Sequence, residues 1–237
     1  MKIIHLISGP RNISTAMMYA FAQRSDTTVI DEPFYGYYLK HSDIDHPGKE
    51  EILNSMETDP EIVIKNLYSA AKKTPVLFIK DMAKHIQGLN TDFMNKMHNV
   101  FLIREPSHII ASFSKVVDHI PEKEIGYSYS LRLYEQLIKK EQNPLVIDSG
   151  IVLGDPESSL IKICDALGIE YQSSMLTWQP GPRQEDGIWA KYWYNNVHKS
   201  AGLKHKMEKP KDVDEKYYSL YLQSIEYYKE LLKHAIK

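Results

Sequence analysis

Short apolar runs alternate with longer stretches of helical character along this chain. The runs are bounded by polar or turn-forming residues and are partly β-branched, as buried parallel strands are. The stretches between them carry apolar residues at helical spacing. We predict strands at Ile3–Ile7, Thr28–Asp31, Val76–Ile79, Val100–Ile103 and Leu145–Ile147, and helices at Ser14–Gln23, Pro60–Lys72, Asn90–Met97, Ser107–Val117, Tyr127–Lys140, Glu157–Leu167 and Val213–Lys237.

This alternation predicts an α/β fold in three layers, α/β/α, in which helices cover both faces of a central, mostly parallel sheet. A chain of 237 residues is long enough for one such domain with a good core. We expect a single domain over residues 1–237, with a helical C-terminal extension over about 213–237. Lys40–Lys49 and Gln172–Arg183 are predicted loops, and the second is long enough to serve as a functional lid.

The segment from Lys2 to Ala22, KIIHLISGPRNISTAMMYAFA, predicts an anion site. An apolar strand enters a tight polar loop, and the helix that follows opens with Ser14 and Thr15. The first amides of a helix are unpaired and its dipole adds partial positive charge. Because Arg11 adds a full charge, a phosphate or sulfate group would fit there. Alternatively, Ser14 is only the N-cap of an ordinary strand-loop-helix start, since the GxxxxGK[ST] pattern of nucleotide-binding loops is not met.

A second candidate anion site follows the predicted strand Val100–Ile103. Arg104 stands at the carboxyl end of that strand, the edge where ligands bind in open parallel sheets. Pro106 begins a helix on which Ser112 lies about two turns later, so that Arg104 and Ser112 together would grip a second phosphate. The alternative is that Arg104 pairs with a nearby carboxylate and that Ser112 faces water.

The composition requires any basic site to be local. Hydrophobic residues make up 43% of the chain and charged residues 25%, as in soluble globular proteins. The formal net charge of −2 gives no indication of a nucleic-acid or membrane partner. Cys164 is the only cysteine, so no internal disulfide is expected. No signal peptide or membrane-spanning run is evident, and we expect a cytoplasmic protein.

Together the two anion segments resemble the sulfotransferase family, a branch of the P-loop superfamily that uses 3′-phosphoadenosine 5′-phosphosulfate (PAPS). Family members carry P-[KR]-[ST]-G-[ST]-T after the first strand, R-x-P-x-x-x-x-x-S after a later strand, and a D-P-x-x-x-[LI] helix that ends in L-G-[IL]. The corresponding segments here are Pro10–Thr15, Arg104–Ser112, Asp155–Leu160 and Leu167–Ile169, with Ile13 in place of the loop glycine. The resemblance runs from about residue 3 to about residue 190.

The resemblance implies a P-loop-type fold and transfer of a sulfuryl group from PAPS to a hydroxyl or amine of a small-molecule acceptor. The product nucleotide would be adenosine 3′,5′-bisphosphate. Because a sulfuryl group carries less negative charge than a phosphoryl group, no metal is expected. A guanidinium and a helix N-terminus would stabilise charge on the bridging oxygen. By this resemblance the 5′-phosphosulfate would be held by Arg11, Asn12, Ser14 and Thr15, and the 3′-phosphate by Arg104 and Ser112.

An acceptor hydroxyl or amine needs a general base. Many cytosolic members of the family use the His of a K-x-H segment, which reads Lys80-Asp81-Met82 here and lacks the His. His85 lies three residues further on and would reach the site only if the next helix begins early. We favour Glu32, which follows the second strand, over Asp81, and expect Lys80 to help carry charge on the bridging oxygen. The alternative is that Glu32 is a surface carboxylate at a strand end.

Family members often place a Gly-rich basic loop, followed by a Trp, against the nucleotide. The segment Gly187–Trp193 is the candidate for this role, although it lacks the usual R-K-G sequence. Arg183, Lys191 or Trp189 would then contact the nucleotide. The alternative is an aromatic segment that docks on the domain.

One segment groups potential metal ligands. Lys40–Gly48 contains His41, Asp43, Asp45 and His46. The ligand spacing that fixes a structural metal site is not present. We therefore predict a solvated polar loop and no metal.

Two other classes of function are open at this point. A small-molecule kinase would need a metal-bound nucleoside triphosphate, and the first loop lacks the lysine for it. A nucleotide-binding module without catalysis is the other, because Ile13 and Met82 replace family residues. The sequence indicates neither the acceptor nor the oligomeric state.

Overall fold

A five-stranded sheet forms the centre of the computed structural model, which describes residues 1–44, 46–115, 117 and 119–237. The strands lie in the order β2-β3-β1-β4-β5, and each pairing between neighbours is parallel. The polar residues that follow the strands therefore meet along one edge. The strands are β1 (Lys2–Ser8), β2 (Thr27–Asp31), β3 (Val76–Met82), β4 (His98–Ile103) and β5 (Leu145–Asp148).

Helices cover both faces of this sheet. Short 3-10 helices lie at Ala83–Ile86, Thr91–Lys96, Ser173–Leu176 and Glu215–Tyr217. The α-helices are α1 (Ser14–Ala22), α2 (Tyr35–Lys40), α3 (Lys49–Ser55), α4 (Pro60–Ala71), α5 (Pro106–Phe113), α6 (Glu122–Ile125), α7 (Tyr127–Lys139), α8 (Ser149–Gly154), α9 (Pro156–Leu167), α10 (Ala190–Trp193), α11 (Asn195–His198) and α12 (Tyr218–Leu232).

Side-chain alternation along the strands divides the core into two layers. Ile3 and Ile7 of β1 point to the face that α4, α5, α7 and α12 cover. Ile4 and Leu6 point to the opposite face, which α1 and α9 cover. The predicted α/β/α architecture with its parallel sheet is therefore confirmed. The C-terminal helix α12 contacts β4, β5 and α7, so it is part of one layer.

The predicted helices Asn90–Met97 and Val213–Lys237 differ from those observed. The segment Asn90–Met97 forms only the 3-10 helix Thr91–Lys96, because the side-chain amide of Asn99 binds the carbonyls of Met94 and Met97 and ends the turn. The C-terminal helix is shorter than 213–237. It begins at Tyr218 after a 3-10 turn and ends at Leu232, where the chain turns and the amide of Ile236 then donates to the carbonyl of Val146.

The predicted loops contain regular structure. Helix α3 begins at Lys49, the last residue of the first predicted loop, and Ser173–Leu176 forms a 3-10 helix inside the second. Asp45 of the first loop lies outside the described residues. The predicted helix Ser107–Val117 ends at Phe113, and residue 116 within it also lies outside the described residues.

The short aromatic helices α2 and α10 were not predicted. Tyrosine and tryptophan do not favour helix strongly, so tertiary packing decides their conformation. Tyr35 and Leu39 of α2 pack with Trp189 and Ala190 in a small third core. Within the described residues, the structure contains no helix with the length and apolar character needed to cross a bilayer.

Candidate active site

One cavity of about 610 Å³ opens at the carboxyl ends of β1 to β4. This is the edge at which open parallel sheets bind their ligands. Asp81, Arg183 and Trp189 are not among the residues that line it. The predicted site residues that do line it are Arg11, Asn12, Ser14, Thr15, Glu32, Lys80, His85, Arg104 and Ser112.

The loop between β1 and α1 lines the cavity from Pro10 to Ile13. Gly9 passes so close to α6 that a side chain there would meet the carbonyl oxygen of Ile125 at 2.7 Å. The side chain of Asn12 fixes the loop, because Nδ2 donates to the carbonyl of Leu102 at 2.9 Å and Oδ1 accepts from the amide of Ile13 at 2.9 Å. Helix α1 has no side-chain cap at its start. Its N-terminus can therefore serve an anion.

Arg11 connects the two predicted anion sites. Its Nε donates to Oγ of Ser112 at 2.9 Å, and its carbonyl oxygen accepts from Nη1 of Arg104 at 2.8 Å. Burial and the neighbouring charge of Arg104 lower the pKa of Arg11. Among the described residues no carboxylate pairs with the Arg11 guanidinium. The end of the cavity near α1 and α5 therefore carries uncompensated positive charge.

Arg104 itself pairs with Glu208, a residue that sequence reasoning did not single out. Arg104 donates from Nε to Oε2 at 3.1 Å and from Nη2 to Oε1 at 2.6 Å, and Lys206 also donates to Oε1 at 2.8 Å. Burial raises the pKa of Glu208, but the hydrogen bonds from Arg104 and Lys206 outweigh it and lower the pKa below its usual value. Glu208 is therefore a charged group beside Arg104.

A second basic strip lines the cavity between α11 and α12 and was also missed. Gly202 has a left-handed backbone (φ 151°), and a side chain there would meet the carbonyl oxygen of Leu176 at 2.3 Å. Lys204 and Lys206 follow it along the same wall. The sequence signal was present, because Lys199–Lys206 combines three lysines with that glycine.

At the other end of the cavity a buried lysine joins two carboxylates. The ammonium group of Lys80 donates to Oδ1 of Asp31 at 3.1 Å, to Oε1 of Glu32, and to the hydroxyl of Tyr194 at 2.6 Å. Burial lowers the pKa of Lys80, but the two carboxylates outweigh burial and raise it. Lys80 is therefore charged, and its charge is already balanced.

The two carboxylates beside Lys80 titrate differently. Burial raises the pKa of Asp31 to about 6, against the opposing charge of Lys80. Burial also raises the pKa of Glu32, but Lys80 and then His85 outweigh it and lower the pKa. Glu32 has a left-handed backbone (φ 41°), as Arg11 does (φ 54°), and such conformations cost about 1–3 kcal/mol each and cluster at functional sites.

Behind Glu32 lies a buried chain of titratable groups. Nδ1 of His85 is 3.6 Å from Oε2 of Glu32 and 3.5 Å from Oδ1 of Asp81, and Nε2 of His5 is 3.7 Å from Oδ2 of Asp81. The 3-10 helix Ala83–Ile86 starts directly after β3 and brings His85 to the site. Burial raises the pKa of Asp81, but the adjacent imidazoles of His5 and His85 outweigh it and lower the pKa.

Trp189, a predicted nucleotide contact, does not line the cavity but packs in the small third core. It is 4% exposed, and its Nε1 donates to the hydroxyl of Tyr194 at 3.2 Å. That hydroxyl donates to Oδ2 of Asp31 at 2.7 Å and accepts from Lys80. Trp189 therefore positions Tyr194 at the acidic end of the cavity.

Arg183 and Lys191 also lie away from the cavity. The Arg183 guanidinium lies over the ring of Tyr19 at 5.2 Å and pairs with Glu185 at 3.3 Å. Lys191 pairs with Glu51 at 2.6 Å on the surface. Glutamates and a tyrosine ring pair with these two cations outside the cavity, whereas Lys204 and Lys206 line it.

Aromatic side chains close the acidic end. The ring of Tyr35 stacks on His85 with centroids 4.6 Å apart, and its hydroxyl meets Nδ1 of His46 at 2.8 Å. Burial, followed by the charge of Lys84, lowers the pKa of His46 to about 4. Lys84 forms a buried pair with Glu124 at 2.7 Å. Among the described residues no group of three or more His, Cys, Asp and Glu side chains is arranged to hold a metal.

The chain belongs to the sulfotransferase-domain family, because the family model described as "Sulfotransferase domain" matches residues 1–235. This confirms the resemblance carried by the two anion segments. Two curated relatives from Arabidopsis thaliana, named branched-chain-amino-acid aminotransferase-like protein 2 and protein 1, are 38% and 37% identical over 236 residues. The match covers 99% of this chain but only 42% of each relative.

Two solved structures share the fold. The sulfotransferase domain from the curacin biosynthetic pathway matches with a TM-score of 0.56 at 14% identity, covering 94% of this chain and 96% of that one. The sulfotransferase domain from the Synechococcus PCC 7002 olefin synthase matches with a TM-score of 0.58 at 16% identity, covering 94% of each chain.

Proposed function

We propose that this protein transfers a sulfuryl group from PAPS to a hydroxyl or amine of a small-molecule acceptor. The observation that carries the proposal is the polarity of one cavity. Its end at Arg11 and Arg104 presents the unpaired guanidinium of Arg11, the Arg104–Glu208 pair and a helix N-terminus, and its end at Glu32 presents a carboxylate held by Lys80 and a histidine. A polyanionic donor and a neutral or basic acceptor fit these two ends.

The residues at the basic end fit the donor. The unpaired charge of Arg11 and the uncapped start of α1, with Ser14 and Thr15, suit the 5′-phosphosulfate. Arg104 and Ser112, extended by the basic strip at Lys204 and Lys206, suit the 3′-phosphate. When bound there, PAPS supplies an activated sulfuryl group on a phosphate leaving group.

Arg11 and the first amides of α1 would stabilise negative charge at the bridging oxygen. They are fixed in place before the reaction by Asn12 and Ser112, so their dipoles need not reorganise. Lys80 was expected to help carry charge on the bridging oxygen, and we propose a positioning role for it instead. Because Asp31 and Glu32 balance its charge, it holds Glu32 in place.

Glu32 would accept the proton of the acceptor. Its lowered pKa keeps it ionised at neutral pH, and its Oε1 is fixed by Lys80 while Oε2 faces His85. His85 and Asp81 lie next along the buried chain and are the alternative bases. A base must be within reach of the proton it takes, and Glu32 and His85 line the cavity whereas Asp81 does not.

Calorimetric titration separates the candidate functions. We expect adenosine 3′,5′-bisphosphate to bind without metal and more tightly than AMP. A kinase would instead prefer ATP with magnesium over the bisphosphate. Equal affinity for the bisphosphate and AMP would remove the 3′-phosphate site. Bisphosphate binding without turnover of any hydroxyl or amine acceptor would favour a binding module. A cytoplasmic location and the absence of nucleic-acid, membrane and metal partners stay predictions from the sequence.

A further inference from the structure

The guanidinium of Arg104 is paired with a carboxylate of the same chain. Both carboxylate oxygens of Glu208 accept hydrogen bonds from this guanidinium: Oε2 from Nε at 3.1 Å and Oε1 from Nη2 at 2.6 Å. The carbonyl oxygen of Arg11 takes Nη1 at 2.8 Å. The guanidinium proposed to bind a 3′-phosphate thus already holds an anionic group in bidentate geometry.

The segment around Glu208 is anchored over the site. The amide of Lys206 donates to the carbonyl of Leu153 at 2.7 Å, and the amide of Lys211 donates to Oγ of Ser107 at 2.7 Å. The side chain of Glu208 is only 4% exposed between these two anchors. A charge so shielded from water is stable only while it is paired, so Glu208 and Arg104 depend on each other.

We propose that Glu208 lowers the preference of the site for 3′-phosphorylated nucleotides by acting as an internal ligand of Arg104 that a 3′-phosphate displaces. This rests on the proposed function, since it assumes that the nucleotide reaches Arg104. Carboxylate and phosphate present the same kind of oxygen edge to a guanidinium. Because the carboxylate and the phosphate are both negatively charged, they repel each other if both bind the Arg104 guanidinium.

The displacement separates nucleotides by their 3′ substituent. A ligand with a free 3′-hydroxyl leaves the Arg104–Glu208 pair intact and gains nothing from Arg104. A ligand with a 3′-phosphate replaces one carboxylate by a group of higher charge, and Lys206, which also donates to Glu208, lies at the same place. Glu208 therefore lowers the affinity for 3′-phosphorylated nucleotides and leaves the affinity for other nucleotides unchanged.

The test is calorimetric titration of the full chain with adenosine 3′,5′-bisphosphate and with AMP. Glu208→Gln keeps the size of the side chain and removes its charge. We expect this variant to bind the bisphosphate roughly tenfold more tightly, the scale of one charge-assisted hydrogen bond. AMP affinity should stay within about twofold. Unchanged or weaker bisphosphate binding would overturn the proposal, and weaker binding would make Glu208 a residue that orients Arg104.

Two controls make the outcome specific. Glu226→Gln changes the net charge equally, but at an exposed glutamate paired with Lys229, and should leave both affinities unchanged. Combining Glu208→Gln with Arg104→Ala should abolish the tenfold gain, because the competition requires Arg104. If Glu208→Gln lowers the melting temperature too far, Glu208→Asp shortens the reach by one methylene and should give a smaller gain in the same direction.

The same titrations distinguish this inference from the function on which it rests. If the unmodified protein binds the bisphosphate no better than AMP, the 3′-phosphate site itself is wrong. If it prefers the bisphosphate and Glu208→Gln does not increase that preference, only the role of Glu208 is wrong.

Discussion

Nε of Arg11 donates to the hydroxyl of Ser112 across 2.9 Å and so joins the loop after β1 to helix α5. These two residues come from the two segments that predict separate anion sites. Their hydrogen bond places the two segments side by side. In the proposed function one ligand spans both segments and carries two anionic groups, as a nucleoside bisphosphate does.

Removing Arg104 should discriminate between nucleotides. We expect Arg104→Ala to weaken adenosine 3′,5′-bisphosphate by about 2–4 kcal/mol, because a partly buried phosphate loses its charged partner. AMP, which has no 3′-phosphate, should be almost unaffected. Calorimetry with both ligands measures the difference. A similar loss for both would mean that Arg104 only supports the fold.

Glu32→Gln should abolish turnover once an acceptor is found and leave bisphosphate binding nearly intact. Glutamine keeps the size of the side chain but cannot take a proton at neutral pH. Steady-state rates of the variant, with the bisphosphate Kd as the control, measure both effects. If Glu32→Gln keeps full activity and either His85→Ala or Asp81→Asn is inactive, the general base is His85 or Asp81 rather than Glu32.

Lys80→Met should destabilise the protein strongly. The substitution leaves Asp31 and Glu32 buried together without their cation, and removing one partner of a buried pair costs about 3–5 kcal/mol. Urea denaturation of the unmodified protein and of Lys80→Met measures the difference in the free energy of unfolding. Lys229→Met, at an exposed pair in α12, should change stability by less than about 1 kcal/mol. Equal costs for the two substitutions would contradict the central role of Lys80.

Asp31 should make the protein less stable as the pH rises through its titration. Its pKa is raised from 3.8 to about 6 in the folded state, so between these values the folded protein binds more protons than the unfolded chain. The stabilising contribution of Asp31 to the free energy of unfolding is therefore fully present below about pH 4 and is lost as the pH passes 6. It amounts to about 1.4 kcal/mol per unit of pKa difference. The stability of Asp31→Asn relative to the unmodified protein should increase over that interval. Denaturation at several pH values tests this, and an opposite slope would refute it.

Gly202→Ala should disturb the basic strip. The new side chain would lie 2.3 Å from the carbonyl oxygen of Leu176 at a left-handed backbone, so the wall that carries Lys204 must shift. We expect a loss of stability of about 1–3 kcal/mol and weaker bisphosphate binding. Gly154→Ala, with nothing within 4 Å of the added carbon, is the matched control. An unchanged Kd for Gly202→Ala would remove the strip from the nucleotide site.

The strands and the residues at their carboxyl ends were predictable because the sequence patterns that specify them are local. Each apolar run became a parallel strand, and Arg104 and Glu32 stand at the strand ends where the sequence predicts them. Those positions follow from the hydrophobic pattern and the turn residues alone.

The partners of those residues were not predictable in the same way. Glu208 reaches Arg104 across 104 positions of sequence, and Tyr194 reaches Lys80 across 114. Such contacts depend on how distant segments pack, and no periodicity encodes them. Trp189 and Arg183 show the opposite effect. Both belong to a segment that resembles a nucleotide-binding motif, but Trp189 hydrogen-bonds to Tyr194 and Arg183 pairs with Glu185, each a near neighbour in sequence.

The strand order β2-β3-β1-β4-β5 has a consequence for kinetics. Because β1 is central, the loop that carries Arg11 lies between Arg104 on the β4 side and Glu32 on the β2 side. A donor held by this loop and Arg104 and an acceptor held near Glu32 would therefore be bound at the same time, with no need for either to leave before the other enters. Such a site suits a single displacement in a ternary complex, and initial-rate plots at varied concentrations of both substrates should intersect rather than run parallel.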